Sequence, residues 1–242
     1  MKQLMRKKSA GFTLIEMITV IVILGVLAAA TTSFIKFSTQ IYTQATDRDQ
    51  LVSSARFAME RLNREIRDSL PNSLVISGQC LEFTPILETT IYTDIPVAPE
   101  EARNKINVIE FDEAFDSNWS VVVYPLDAED VYDANENKVY AVSSITPTGD
   151  ERVVTLENNV LFAEDSPTQR LYFINGSVEY CLQSNELLRN GILMAQDIFN
   201  TSAFELQEAT LLRNAMVKIH FQFEKNSEKI TFTNEIQVLN VP

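Results

Sequence analysis

Lys8-Ser9-Ala10-Gly11-Phe12-Thr13-Leu14-Ile15-Glu16 is the stretch on which the reading of the whole chain depends, because it joins a basic leader to a long apolar run. From Phe12 to Ile35 there are 24 residues with a single charge, Glu16, and no proline occurs before Pro71. About 20 apolar residues cross a bilayer core as a helix, so the segment predicts one membrane span. An acid at the centre of such a span costs roughly 2.5 to 3.5 kcal/mol on insertion scales, and less near its end. Glu16 therefore needs either water at the interface or a positive partner, and the start of a neighbouring copy of the same helix would supply one.

The leader carries Lys2, Arg6, Lys7 and Lys8 and no acid, which holds the N-terminus in the cytoplasm and sends the rest across. A secretory signal peptide puts its small-residue cleavage site after the apolar segment. Here Ala28-Ala29-Ala30 is only a weak match to such a site, and the small residue sits before the run, at Gly11 against Phe12.

These residues resemble the prepilin signal of the type IV pilins and of the pseudopilins of type II secretion. The resemblance implies that a membrane prepilin peptidase cuts between Gly11 and Phe12 and methylates the new Phe12 amine. It also implies that Glu16 pairs with the Phe12 amine of an adjacent subunit during assembly. The implied fold is α+β and pilin-like, a long N-terminal helix carrying a β-rich head. The implied partners are other minor and major pilins, the inner-membrane assembly platform and the lipid bilayer, with no cofactor. The implied location is the inner membrane, single-pass with the head in the periplasm, and then a pilus on the cell surface.

Apolar residues at Leu51/Val52, Ala55, Ala58/Met59, Leu62, Ile66 and Leu70 repeat at helical spacing. Arg61-Glu65 and Arg56-Glu60-Arg64-Asp68 place opposite charges four apart on the other face. Pro71 marks the stop. Phe12 to Ser69 is 58 residues, roughly 87 Å at 1.5 Å each, so the second half must lie against the head. The expected organisation is a cleaved leader (1–11), a transmembrane or filament-core segment (12–35), an amphipathic continuation (36–70) and a globular head (71–242).

Beyond Pro71, short alternating runs separated by turn residues predict strands. Asn175-Gly176 is the strongest hairpin signal, with Ser184-Asn185 and Asn226-Ser227 next, so antiparallel meanders are expected. Gly191 to Asn200 is expected to hold a short helix. Cys80 and Cys181 each fall on the polar face of their strand, where a buried structural thiol is unusual. In an exported head disulfides persist, so a Cys80–Cys181 bridge is expected; two unrelated free thiols are the alternative.

The formal charge is −13, and without the leader 16 basic residues face 33 acidic ones, −17. Such a surface does not suit nucleic acid. Only His220 offers an imidazole, and it alternates with Ile219, Phe221 and Phe223 toward solvent. Histidine-based triads and zinc sites therefore have no basis, and no enzyme activity is expected. The pairs Asp112/Glu113 and Glu129/Asp130 read as solvated loops. The loop from Asp127 to Asn137 offers oxygens at alternating positions, as calcium loops do, but lacks the glycine and spacing of an EF-hand.

Within the family, Cys80-Leu81-Glu82-Phe83-Thr84-Pro85-Ile86, Val178-Glu179-Tyr180-Cys181-Leu182 and the final Asn240-Val241-Pro242 resemble the O-type minor pilins of mannose-sensitive haemagglutinin (MSHA) pilus systems. That implies a low-copy subunit that primes or caps the filament at or near its tip. The J-type minor pseudopilin of a type II secretion system is the alternative.

Overall fold

A helix, α1, runs unbroken over Leu14–Arg67 in the computed structural model, passing through Gly25 without interruption. The structure describes residues 11–111, 118–134, 136, 138–199, 203–210, 213–226 and 228–238. The chain falls into two compact units, Met1–Asp49 and Gln50–Pro242.

In the first unit the helix leaves its apolar side chains open, with Leu14, Ile21, Val26 and Phe34 each more than half exposed. This is the one helix among the described residues long and apolar enough to cross a membrane. Its hydroxyls bond back onto its own turns, Thr31 Oγ1 to the Leu27 carbonyl at 2.8 Å and Thr32 Oγ1 to the Ala28 carbonyl at 2.7 Å. A polar side chain satisfied in this way can sit in hydrocarbon without a second partner.

The second unit begins with the amphipathic half of α1. Leu51, Ala55, Ala58, Met59, Leu62 and Ile66 are buried, the stripe that the helical period predicts. They pack on two antiparallel sheets. One holds β1 (Val75–Ser77), β2 (Cys80–Phe83), β9 (Val178–Gln183), β10 (Glu186–Arg189) and β11 (Ile192–Ala195). The other holds β12 (Phe204–Gln207), β13 (Ala215–Lys225) and β14 (Glu228–Val238). Leu81, Phe83 and Tyr180 of the first sheet and Val217, Ile219, Phe221 and Phe223 of the second complete this core with almost no exposure.

The remaining strands close a six-stranded barrel that the expected meanders did not include. Its members are β3 (Ile86–Asp94), β4 (Arg103–Ile109), β5 (Ser120–Val123), β6 (Val139–Thr148), β7 (Glu151–Val160) and β8 (Arg170–Ile174), in the order β3-β4-β7-β6-β5-β8. Alternate residues fill it, among them Ile106, Val108, Val121, Val123, Val154, Leu156, Leu171 and Phe173. The opposite faces of β5 and β8 are buried too, because Val122, Tyr172 and Ile174 pack on Leu70 just past the end of α1. This explains why Ser120–Val123 and Arg170–Ile174 read as continuous apolar runs.

The barrel is an insertion at a hairpin turn. β2 and β9 pair directly, Phe83 opposite Val178 and Cys80 opposite Cys181, and the whole barrel lies in sequence between them. Asn175-Gly176 consequently does not close a hairpin: β8 belongs to the barrel and β9 to the first sheet, and Gly176, at φ 73°, turns the chain from one to the other. Ser184-Asn185 does join paired strands, with both residues at positive φ (49° and 67°) as a type I′ turn requires. Asn226 (φ 48°) opens the β13–β14 turn. The helix expected within Gly191 to Asn200 is instead the strand β11, because pairing of Ile192 with Arg189 and of Leu193 with Leu188 satisfies its backbone.

Candidate processing and assembly site

Gly11 and Phe12 stand just before α1, outside any helix or strand, and both are exposed. Thr13 N–H approaches Glu16 Oε2 at 3.5 Å while Glu16 N–H approaches Thr13 Oγ1 at 3.4 Å. This is the reciprocal geometry of a capping box, the pattern Thr-x-x-Glu at a helix start. The Thr-x-x-Glu spacing is a local sequence signal for this cap, set inside the start of the apolar run. The carboxylate lies at the positive end of the helix dipole, where a negative charge is favoured. Gly11, Phe12 and Glu16 thus share one helix start, with Glu16 a single turn beyond Phe12. The leader residues Lys2, Arg6, Lys7 and Lys8 lie outside the described residues.

In the second unit Cys80 and Cys181 form a disulfide with Cα atoms 4.0 Å apart across a sequence separation of 101. Leu182 N–H donates to the Gln79 carbonyl, so the cysteines occupy the neighbouring non-hydrogen-bonded pair, where side chains approach closest. Cys80, Glu179 and Cys181 bring potential ligand atoms within 4.8 Å of one another, but both sulfurs are committed to the bridge and offer no thiolate to a metal.

Three further groups tie the head together. Glu65 accepts from Arg61 Nε at 2.8 Å, Arg189 Nε at 2.9 Å and the Tyr180 hydroxyl at 3.0 Å. Burial pushes its carboxyl up, but the bonds from Arg189, Arg61 and Tyr180 outweigh that and hold it below the usual carboxylate range. The same surroundings, burial first and the Glu65 charge next, push the Tyr180 phenol well up. A surface ion pair four residues apart is therefore also a link from helix to sheet. Only the Arg61-Glu65 half was visible in sequence, since Tyr180 and Arg189 are 115 and 124 residues away.

The acidic loop is occupied by its own chain. A short helix, α2 (Glu129–Tyr132), carries Asp130, which is buried. Asp130 Oδ2 accepts from Lys138 Nζ and from Leu126 N–H, each at 2.7 Å, and Asp127 Oδ1 accepts from Asp130 N–H at 3.0 Å. Asn135 and Asn137, with the pair Asp112/Glu113 and the last residues Asn240, Val241 and Pro242, lie outside the described residues. Tyr132 reaches across to donate to the Ser73 carbonyl at 2.7 Å and meets Thr84 Oγ1 at 3.2 Å. Burial pushes its phenol up to about 12. His220 is exposed, its Nδ1 3.1 Å from Thr233 Oγ1.

An exposed apolar helix with a capped start, joined to a disulfide-bonded antiparallel β head, defines a type IV pilin-like α+β fold. The family described as the prokaryotic N-terminal methylation motif matches residues 6–32, which supports a type IV pilin or pseudopilin. That family indicates a structural subunit, and a prepilin signal implies processing by a prepilin peptidase and assembly with other pilins. No curated protein and no solved structure matches the chain.

Proposed function

We propose that the chain is a minor pilin of an MSHA-like type IV pilus. Cleavage between Gly11 and Phe12 and N-methylation of Phe12 convert it to a single-pass inner-membrane subunit with a periplasmic head. It primes or caps assembly and enters the filament at or near the tip, its apolar helix leaving lipid for the filament core while Glu16 pairs with a neighbour's Phe12 amine. The observation that carries this reading is the prepilin signal, with one acid set a turn inside an otherwise uncharged span.

Charge supports the low-copy role. Residues 84–177, the barrel and its connections, hold 18 acidic and 5 basic side chains, −13 of the mature −17. Such heads repeated along a filament would repel one another, whereas a few at a tip would not. Glu16→Ala in the native host tests the reading: surface filaments should fall at least tenfold while leader removal continues. Normal filaments, together with retention of secreted enzymes inside cells lacking the chain, would favour the type II secretion pseudopilin.

A further inference from the structure

Most sheet edges in the head are short or absent. The barrel is closed, β1 has three residues, and β11 and β12 have four each. The β10–β11 pairing is further broken by a bulge between Leu187 and Leu188. Such devices are how folds prevent strangers from pairing with them. β14 is neither short nor bulged, and only the charges of Lys229 and Glu235 guard it: its 11 residues pair with β13 in unbroken register, contain no proline, and carry no further strand on the other side among the described residues.

The direction of its free backbone groups follows from its neighbour. His220 N–H donates to the Ala203 carbonyl, Glu224 N–H to the Asp197 carbonyl, and the Gln222 carbonyl accepts from Phe199. Even-numbered residues of β13 therefore bond away from β14 and odd-numbered ones toward it. Through the register Val217–Ile236, Ile219–Asn234, Phe221–Phe232 and Phe223–Ile230, the even-numbered residues of β14 complete that ladder. Lys229, Thr231, Thr233, Glu235 and Gln237 point their N–H and carbonyl groups outward, the Glu235 N–H already donating to Asn234 Oδ1 at 3.1 Å, and their side chains are exposed.

We propose that this edge receives an extended strand of the neighbouring subunit in the assembled filament, a deepening that rests on the filament-subunit reading. Two observations favour that occupant. The β13–β14 hairpin is electrically neutral, with Lys218, Lys225 and Lys229 balancing Glu224, Glu228 and Glu235 in a mature chain of −17, so another acidic head meets less repulsion there than over the barrel. It also lies along α1: Lys225 Nζ donates to Gln50 Oε1 at 2.8 Å near one end, and Met216, Glu235 and Gln237 share a cleft with Arg67 and Asp68 near the other. A neighbour that packs on residues 50–67 of α1 thus reaches this edge. The incoming strand sets apolar side chains beside Ile230 and Phe232, which are only partly buried, and polar ones on the outer face, the usual division in strand addition.

Proline at an outward position removes one donor from the free edge and none from the β13 ladder. In the full chain in its native host, Thr231→Pro/Thr233→Pro should leave Phe12 as the first residue and the disulfide oxidised. Surface filaments should fall at least tenfold, while Thr231→Val/Thr233→Val, which keeps both N–H groups, should assemble normally. In a second measurement, a photo-crosslinking amino acid at Thr233 should join the chain to a protein that itself starts at an N-methylated residue. Wild-type assembly by the proline variant, equal loss in the valine variant, or a crosslink absent or made to any other molecule would overturn the proposal. If Glu16→Ala also assembles normally, the filament reading itself has failed; if only the edge variants are silent, the edge alone has.

Discussion

Removing the Cys80–Cys181 bridge by reduction, or by Cys80→Ser/Cys181→Ser, should weaken the head far more than loss of one side-chain contact. The bridge closes the β2–β9 hairpin beneath the inserted barrel, across a sequence separation of 101. In the chain-entropy account a loop of that size restricts the unfolded chain by about 4.7 kcal/mol at 25 °C. The folded β2–β9 ladder has partners on both sides, β1 and β10, and should survive reduction, so most of that amount should appear as lost stability. With a urea dependence of about 2 kcal/mol per molar, the unfolding midpoint should drop by about 2 M. The assay is urea unfolding of the full chain in mild detergent, followed by tryptophan fluorescence from Trp119 inside the barrel, with and without reductant. A shift below about 0.3 M with an unchanged slope would refute the reasoning and mean that the unfolded chain is already held together there by other means.

Glu65→Ala should cost on the order of 3 kcal/mol, because it strands Arg189 and Tyr180 in a partly buried site; chemical denaturation measures it. Since the Glu65 carboxyl titrates below its unfolded value of about 4.3, its contribution is complete above that pH and is lost as pH falls through the lower folded value. Wild-type and Glu65→Gln stabilities should therefore converge on acidification. Tyr132→Phe leaves the buried Ser73 carbonyl with one donor fewer and should cost about 1 to 2 kcal/mol. Because the Tyr132 phenol is raised to about 12 from about 10, its contribution should hold below pH 10 and fade as pH rises toward 12, which ultraviolet titration of tyrosinate against folding will show. Replacing residues 84–177 by Asn-Gly, to join Phe83 to Val178 as an ordinary hairpin, should leave a processed, disulfide-bonded chain of charge −4 by sequence; loss of all protease-resistant core would contradict the insertion topology.

The helix, its buried stripe and most strands were legible because their periodicity is local. Val178–Gln183 and Glu186–Arg189 stand where alternation and Ser184-Asn185 predict them. The disulfide could be anticipated from the polar-face position of two cysteines. The barrel could not, since closure depends on partners such as Ile86 and Ile174 that are far apart in sequence. β3 carried no clear signal because Glu88, Thr89 and Thr90 follow one another and break the alternation between two prolines, Pro85 and Pro96. Asn175-Gly176 misled because a turn signal specifies a reversal and not which strand follows into the same sheet. At the helix start, the candidate residues Gly11, Phe12 and Glu16 stand in one contiguous motif, and the Thr13 cap lies within it as a Thr-x-x-Glu spacing. The Glu65 link was half legible, for its sheet partners carry no local signature.

The central claim is that the chain is a processed filament subunit, and the most direct test is the intact mass and N-terminal sequence of the protein from cells with and without a prepilin peptidase. The account predicts a chain starting at N-methylated Phe12, formed only when the peptidase is present. A retained leader in both strains, or a new N-terminus after Ala30, would contradict it.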